Sequence, residues 1–360
     1  MLAKVIESPR NRIIAIAVVA LLLVGGVALA LMSGGDDDAA PATTTTSTTA
    51  TTAPPTTVAP PPVSPLTGLP TDPASAARPA LVVKIDNVEP KARPQVGINE
   101  ADVVYEERVE GSVTRLLAIF QSGESAPVGP IRSARSSDIA IFSPLNRPYF
   151  AWSGANGTFA AYIRESNVMD VGYDVASGQY FRDGGRRAPD NLMAYSTADL
   201  RAIPSEGSGP PPALFAYRAE GEQPAHLEPV GGVRVTYGTS AGSAPVEYVW
   251  NGTGWARTQK GTPHVDTAGV QVAPANVIVQ FTEYVPSGVA DQFGNDIPEA
   301  QTVGEGEAWV LTNGGLIAAR WSKPSIEAVT TYTDVDGNPI KLTPGRTWVA
   351  LPSPGGGERL

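Results

Sequence analysis

A loop rich in glycine, proline and arginine offers anion-binding chemistry. Residues 127–137 read PVGPIRSARSS, so that Arg132 and Arg135 enter the start of a predicted helix. Planar guanidinium groups and the free N–H groups of a helix N-terminus both suit a carboxylate or a phosphate. The alternative is that Arg132 and Arg135 pair with carboxylates of their own domain and only fix the loop.

A second candidate is acidic. Glu106, Glu107 and Glu110 lie around the end of a predicted strand, and the alternation of a strand places Glu106 among apolar neighbours. Glycan-cleaving enzymes use a carboxyl group in such surroundings as a general acid. The alternative is an ion pair between Glu106 and Arg115 or Arg132 on a neighbouring strand.

The two histidines of the chain each precede a carboxylate by two positions. Because residues i and i+2 of a strand face the same way, His226 with Glu228 and His264 with Asp266 each resemble a pair of metal ligands. Solvent-facing or turn-stabilising histidines are the favoured alternative. Residues 334–338, DVDGN, resemble part of a calcium loop, but the proline that follows and the missing twelfth-position glutamate favour an ordinary turn. We therefore predict no metal site and no cofactor.

The composition excludes several other chemistries. The chain has 360 residues, no cysteine and two histidines, which rules out disulfides, thiolate metal sites, a cysteine nucleophile and a three-histidine metal centre. Its formal charge of −10 argues against a nucleic-acid partner, because phosphate contacts need clustered lysine and arginine.

The N-terminal region predicts a membrane anchor and a tether. Ile13–Met32 contains no charge and as a helix spans about 30 Å of hydrocarbon. Basic residues precede it and three aspartates follow, so we predict a cytoplasmic tail (1–12), a single transmembrane helix (13–32) and an extracytoplasmic remainder. A cleaved signal peptide is the alternative. The Thr/Pro-rich segment predicts a disordered tether over 33–63.

Apolar and alternating runs predict the elements that position the candidate residues. Upstream of a Pro/Gly/Ser-rich break, strands and short helices are mixed, and downstream nearly every signal is strand or turn. The predicted strands and helices upstream are Leu81–Asp86, Val103–Glu107, Val113–Phe120, Arg135–Leu145, Thr158–Glu165 and Thr197–Ala202. Those downstream are Val233–Tyr237, Val246–Trp250, Trp255–Gln259, Val277–Phe281, Ala308–Leu311, Leu316–Trp321 and Thr347–Leu351.

These elements predict an α+β protein with two folded domains. An N-terminal mixed α/β domain (64–205) is followed by a linker (206–229), a mostly antiparallel β-rich domain (230–352) and a flexible tail (353–360).

A series of short motifs runs through residues 64–352. Those of the first half are Pro65-Leu66-Thr67-Gly68-Leu69-Pro70, Arg78-Pro79-Ala80, Asp86-Asn87, Lys91-Ala92-Arg93-Pro94-Gln95, Ala101-Asp102-Val103-Val104-Tyr105-Glu106, Thr114-Arg115 and Gly129-Pro130-Ile131-Arg132-Ser133-Ala134-Arg135. Those of the second half are Gly261-Thr262-Pro263-His264-Val265-Asp266, Asn276-Val277-Ile278-Val279-Gln280 and Pro344-Gly345-Arg346-Thr347-Trp348. Together and in this order they resemble the YerB-like lipoprotein family, a bacterial envelope family of unknown function.

The resemblance implies a two-domain envelope protein and a set of candidate ligand-binding residues at the matching motif positions. These are Asn87, Arg93, Glu106, Arg115, Arg132, Ser133 and Arg135 in the first domain, and His264 and Asp266 in the second.

The sequence departs from the family pattern in two places. The family is usually lipid-anchored through a cysteine, whereas this chain has none and is predicted to use Ile13–Met32. The family's Ala-Pro-His-Asn motif reads Ala188-Pro189-Asp190-Asn191 here, which argues against a catalytic role for that histidine position.

Two functions remain open at this point. The first is a membrane-anchored extracytoplasmic binding or accessory protein that recognises a cell-wall polymer or an envelope protein such as an enzyme. The second is a hydrolase or lyase directed at peptidoglycan, with Glu106 as the candidate catalytic residue. The tethered acidic ectodomain, the arginine-rich loop and the lack of a recognisable nucleophile favour the first.

Overall fold

The computed structural model describes residues 61–238, 245–291 and 294–360. The predicted transmembrane helix at Ile13–Met32 and nearly all of the tether lie outside these ranges and stay predictions. Across the described ranges, we find no helix that combines the length and the apolar character needed to cross a membrane. The described residues all belong to one compact unit.

Helices are few and short, and most begin at a residue whose side chain caps them. Asp72, Asn156 and Ser196 each accept a hydrogen bond from a backbone N–H of the following turn, which satisfies a group that the helix itself leaves free. The α-helices are α1 (Pro73–Ala77), α2 (Ser137–Phe142), α3 (Gly157–Glu165) and α4 (Thr197–Arg201). Single 3₁₀ turns lie at Glu110–Ser112, Ser143–Leu145 and Ser177–Gln179.

Strands make up most of the regular structure. In the first half they are β1 (Leu81–Asp86), β2 (Val103–Arg108), β3 (Thr114–Phe120), β4 (Tyr149–Ala151), β5 (Met169–Asp170), β6 (Tyr180–Arg182) and β7 (Leu192–Ala194). They continue with β8 (Ala216–Tyr217), β9 (Glu228–Pro229), β10 (Gly232–Val235), β11 (Val246–Trp250), β12 (Trp255–Gln259), β13 (Thr262–Pro263), β14 (Asn276–Gln280), β15 (Tyr284–Ala290) and β16 (Asp296–Ala300). The last are β17 (Gly304–Thr312), β18 (Gly315–Lys323), β19 (Thr331–Thr333), β20 (Lys341–Leu342), β21 (Thr347–Leu351) and β22 (Gly357–Arg359). The α+β class predicted from the sequence is confirmed, with sheet predominating.

One large sheet draws strands from both halves of the chain. Its main path is β19-β18-β17-β14-β21-β2-β3-β1-β4-β5, and β9 pairs with β18 at one side. Strand β21 lies between β14 and β2 and is parallel to both, so the end of the chain joins the two halves. The two predicted domains therefore share a sheet, while their predicted boundaries remain a proposal.

The large sheet has a hydrophobic core on each face. A second, antiparallel sheet, β13-β12-β11-β10-β22, packs on one face, where Val104 and Trp348 meet Val235 and Tyr248. Helices α2 and α3 contribute to the core of the opposite face. Successive residues of a strand point to opposite faces, and all six residues of β1 are buried because both of its faces are covered. Four of the six are apolar, and the exceptions are Lys84 and Asp86.

The hairpin β15–β16 was not predicted from the sequence. Its strands contain Pro286, Gly288 and Pro298, residue types that usually weaken a strand assignment. The hydroxyl of Tyr284 accepts a hydrogen bond from the backbone N–H of Arg108 at 3.0 Å and fixes the base of the hairpin against β2. The far end of the hairpin consequently reaches the arginine-rich loop.

Candidate functional site

The candidate residues fall into two groups on opposite faces of the large sheet. Neighbouring residues of β3 show the division, because Thr114 contacts Glu106 on the face of the small sheet, whereas Arg115 faces the helices with the arginine-rich loop. We call the first group the buried network and the second the arginine cleft.

Glu106 is the centre of the buried network and has no exposed surface. Nη2 of Arg257 donates to its two carboxylate oxygens at 2.8 and 3.0 Å. The hydroxyl of Thr114 donates to Oε1 at 2.8 Å, and the indole N–H of Trp348 donates to Oε2 at 3.1 Å. A carboxylate with both oxygens bonded inside the protein is poorly placed to protonate a substrate.

The ion-pair partner of Glu106 differs from the ones expected. Arg115 and Arg132 were the predicted alternatives, but the guanidinium that reaches Glu106 belongs to Arg257 on β12. The reason is the alternation of the strands, which points Glu106 toward the small sheet and Arg115 away from it. Glu106 therefore takes no part in balancing the arginine cleft.

Asn87 and Arg93 extend the buried network toward the surface. Nη2 of Arg93 donates to Oδ1 of Asn87 at 2.9 Å, and Nη1 donates to Glu89 at 2.9 Å. Nδ2 of Asn87 donates to the hydroxyl of Thr114 at 2.7 Å. Burial, assisted by repulsion from Arg257, lowers the pKa of Arg93 to about 10, so it remains charged at neutral pH.

His264 and Asp266 do not form a pair of metal ligands. Arg257 Nη1 donates to Nδ1 of His264 at 2.6 Å, so Nε2 carries the proton and donates to Gln95 at 2.7 Å. Oδ1 of Asp266 caps a turn by accepting from the N–H of Val270 at 2.9 Å, while Oδ2 accepts from Asn99 at 2.7 Å. Burial, followed by repulsion from Arg257, holds the pKa of His264 well below its usual value, and the ring is neutral.

The sequence missed half of the buried network. Five polar or aromatic side chains complete it without having been singled out: Gln95, Tyr248, Arg257, Gln259 and Trp348. Gln95 and Trp348 lie in motifs that carry the family resemblance, which was the available signal. Arg257 gave a weaker signal, because it is a charged residue at a position of β12 whose neighbours two residues away are buried.

The arginine cleft is open to solvent and has a volume of about 670 Å³. Its floor is formed by Arg115 of β3, and its wall by Arg132, Ser133 and Arg135 of the predicted loop. The N-terminus of α3 and the far end of the β15–β16 hairpin complete it through Asn156, Ala290, Asp291 and Ile297, none of which the sequence indicated.

Arg132 and Arg135 line the cleft and also pair with nearby carboxylates, as the alternative for the loop predicted. Nε of Arg132 lies 2.8 Å from Oδ2 of the buried Asp86, and Nη2 of Arg135 lies 2.6 Å from Oε2 of Glu110. These pairs fix the positions of the two guanidinium groups. Arg132 keeps the N–H groups of both terminal nitrogens for a ligand, because its hydrogen bond to Asp86 uses only Nε. Arg135 has little capacity left, since it also donates to the carbonyls of Ser133 and Ala134.

Arg115 differs from its two neighbours. Only 7% of its surface is exposed, yet no carboxylate of the described residues forms an ion pair with it. Its Nε has no hydrogen-bond partner within the same ranges, and Nη1 makes one long contact of 3.5 Å with the carbonyl of Ser133. Burial, then repulsion from Arg135, lowers its pKa to about 10, so it is a charged and poorly compensated group at neutral pH.

A buried lysine supports the arginine-rich loop through two carboxylates. Lys84 contacts Glu107 and lies 2.6 Å from Oδ1 of Asp138, whose Oδ2 accepts the backbone N–H of Arg135 at 2.8 Å. Burial raises the pKa of Asp138 to about 7, despite the opposing effect of Lys84. The cluster positions the backbone at Arg135 without reaching the cleft.

Asp190 precedes β7 and lies close to Arg132. One oxygen of Asp190 lies 3.6 Å from Nε of Arg132. Burial, followed by the neighbouring Asp86, raises the pKa of Asp190. The residue therefore supports Arg132 from behind the cleft.

Family models account for most of the described chain. Residues 66–208 match the N-terminal domain of a protein family of unknown function, DUF3048, and residues 233–349 match the C-terminal domain of the same family. The chain belongs to the DUF3048 family. The YerB-like resemblance seen in the sequence motifs is thereby confirmed.

A sequence relative and a solved structure agree with this assignment. YerB of Bacillus subtilis (strain 168), which is named as a lipoprotein, is 30% identical over 300 residues, covering 80% of this chain and 85% of YerB. The crystal structure of YerB from Bacillus subtilis has a TM-score of 0.71 and 25% identity, covering 83% of this chain and 99% of that one. The fold described above is thus similar to an experimentally determined DUF3048-type fold.

Proposed function

We propose that this DUF3048 protein is a membrane-anchored, extracytoplasmic binding protein of the bacterial envelope, and that its arginine cleft holds a carboxylate of cell-wall material. Its relative YerB is named as a lipoprotein, and this name supports an envelope location. The apolar segment Ile13–Met32 supports an anchor made of protein, since the chain has no cysteine for a lipid.

The observation that carries the binding proposal is Arg115. An unpaired charge held away from water is costly, so proteins rarely keep one without a compensating group. A bound carboxylate would supply that group, and Arg132 and Arg135 stand on the same cleft to share it. The cleft is lined by three arginines and by two carboxylates, Glu110 and Asp291, and the buried Asp86 pairs with Arg132.

The backbone adds to the preference for an anion. Asn156 lies in the cleft lining and caps α3, a helix of nine residues, so the positive end of this helix dipole points toward the same space. The stem peptides of a bacterial cell wall carry free carboxylates on an extended chain. An open cleft with fixed guanidinium groups suits such a ligand better than a closed pocket would.

The test is co-sedimentation of the full chain, purified in detergent, with insoluble peptidoglycan. Arg115→Gln should weaken binding by about 1–3 kcal/mol, the contribution of a charged hydrogen bond. Its melting temperature should stay level or rise, because a poorly compensated buried charge is removed. The matched control is Arg320→Gln, which deletes the same charge from an exposed position on β18 and should bind normally.

Two outcomes would contradict the proposal. One is that the wild-type chain does not sediment with peptidoglycan. The other is that Arg115→Gln binds as well as the control. Assay of the same supernatants for soluble wall fragments also examines the hydrolase alternative, and we do not favour that alternative because Glu106 is fully enclosed.

A further inference from the structure

Three metal-ligating side chains converge at a place remote from both the buried network and the arginine cleft. His226 precedes β9, and Asp334 and Asp336 lie in the turn after β19, more than a hundred residues further along the chain. We propose that His226, Asp334 and Asp336 form a site for a divalent transition-metal ion of the zinc class. This replaces the expectation, drawn from the sequence, that the chain has no metal site.

The distances between the ligand atoms fit a single ion. Nε2 of His226 lies 2.8 Å from Oδ2 of Asp336 and 3.8 Å from Oδ2 of Asp334. One ligand atom from each of the three side chains lies within 4.8 Å of the other two. Bonds of about 2.0–2.2 Å around a tetrahedral zinc ion separate the ligand atoms by about 3.4 Å, close to the middle of these values.

The carboxylate of Asp334 is fixed in position by backbone hydrogen bonds. The residue is 7% exposed, and its Oδ1 accepts the backbone N–H groups of Asp336 at 3.0 Å and of Asn338 at 2.9 Å. Oδ2 faces His226 at a distance too long for a hydrogen bond, so this oxygen is available to an ion.

The combination of ligands selects the class of ion. One imidazole nitrogen with two carboxylate oxygens suits zinc or a neighbouring first-row metal, whereas calcium and magnesium prefer oxygen ligands alone. His226 and Asp336 are exposed, which leaves room for water at the remaining position. An ion bound by His226 and the two aspartates would connect the predicted linker to the turn after β19.

Neither sequence motif identified this site by itself. His226 was paired with Glu228 on the assumption of a strand, but His226 lies outside β9 with a φ of 54°, and Glu228 contacts Arg359. The Asp-x-Asp-x-Asn motif forms the ordinary turn that was predicted. Only the fold brings the histidine to the open side of that turn.

The experiment is calorimetric titration of the chelator-treated full chain, in detergent, with Zn²⁺, followed by Co²⁺ substitution. We expect one zinc ion per chain and a raised melting temperature, because an ion that binds only the folded state stabilises it. His226→Gln and Asp336→Asn should each weaken binding by at least about tenfold, since even outer-shell partners contribute about 10–100-fold. The absorption of Co²⁺ should report a nitrogen and oxygen environment that is lost in His226→Gln.

Glu228→Gln serves as the matched control, because it removes a carboxylate next to His226 that does not converge on the site. It should bind zinc like the wild type. Zinc binding that is absent from the wild-type chain, or unchanged in both His226→Gln and Asp336→Asn, would overturn the proposal. Asp336 is exposed, so its variant keeps the test interpretable if another substitution disturbs folding.

Discussion

The buried network and the arginine cleft lie on opposite faces of the same sheet and use the same kinds of side chain, yet they differ in how completely their charges are compensated. Glu106 meets Arg257 and four further donors and has no access to solvent. Arg115 is almost as deeply placed but lacks a carboxylate partner within the described residues. A cluster of polar residues therefore indicates a ligand site only where charge or hydrogen-bonding capacity is left over.

The energetic consequences of the two arrangements have opposite signs. Removing one member of a compensated buried pair leaves its partner unpaired and lowers stability. Removing a poorly compensated charge should instead maintain or raise stability. Substitutions in the buried network should therefore lower stability, whereas Arg115→Gln in the arginine cleft should lower ligand binding without lowering stability.

The largest effect is expected from Glu106→Gln. The substitution leaves the guanidinium of Arg257 buried without its counter-charge, which should lower the free energy of unfolding by about 3–5 kcal/mol. Urea denaturation of the full chain measures the change. The exposed variant Glu305→Gln is the control and should differ from wild type by less than about 0.5 kcal/mol.

A double variant sharpens that result. Glu106→Gln combined with Arg257→Met removes both charges and should recover part of the stability that the single change loses. If Glu106→Gln were as stable as wild type, the network would not be the compensated pair described here.

A smaller effect is expected when the pH is lowered. Because the pKa of His264 is depressed in the folded state, the unfolded chain takes up a proton there below about pH 6.5 and the folded protein does not. The stability linked to His264 is complete above this pH and is lost below it, by about 1.4 kcal/mol for each pH unit. The contribution of Asp138 to stability depends on pH in the opposite direction. Because its pKa is raised to about 7 in the fold, this contribution falls as the pH rises toward 7.

Comparison of the wild type with His264→Gln separates the two groups. The free energy of unfolding is measured at about pH 7.5 and about pH 5 for each. The wild type should lose more stability than the variant as the pH falls. Equal losses in both proteins would show that His264 is already protonated in the fold.

The smallest effect is expected from Asp190→Asn. This change removes a carboxylate that lies 3.6 Å from Nε of Arg132, behind the arginine cleft. The affinity for peptidoglycan should rise by up to about fivefold, within the 1 kcal/mol typical of a partly solvated pair. Asp174→Asn, a change to an exposed residue near Arg164, is the control in the same sedimentation assay. Weaker binding by Asp190→Asn would mean that Asp190 itself contacts the ligand.

Local sequence patterns predicted a large part of the secondary structure. The bounds of Leu81–Asp86, Val246–Trp250, Trp255–Gln259 and Thr347–Leu351 agree with the strands observed. These segments are rich in β-branched, aromatic and other apolar residues, and Asn-Gly-Thr-Gly after Trp250 marks the turn between two of them. The arginine-rich loop lines an open cleft, and its role as an anion site stays a prediction.

By itself, then, the sequence determined which residues alternate and which segments turn, since both properties depend on near neighbours along the chain. Which strands pair was decided by tertiary structure alone. The insertion of β21 between β2 and β14 brings Trp348 to Glu106, and the packing of the small sheet brings Arg257 there from 151 residues away. The same long-range packing leaves Arg115 without an ion-paired carboxylate among the described residues. It also places His226 beside Asp334 and Asp336, because contacts between distant segments depend on the burial of whole faces rather than on any local pattern.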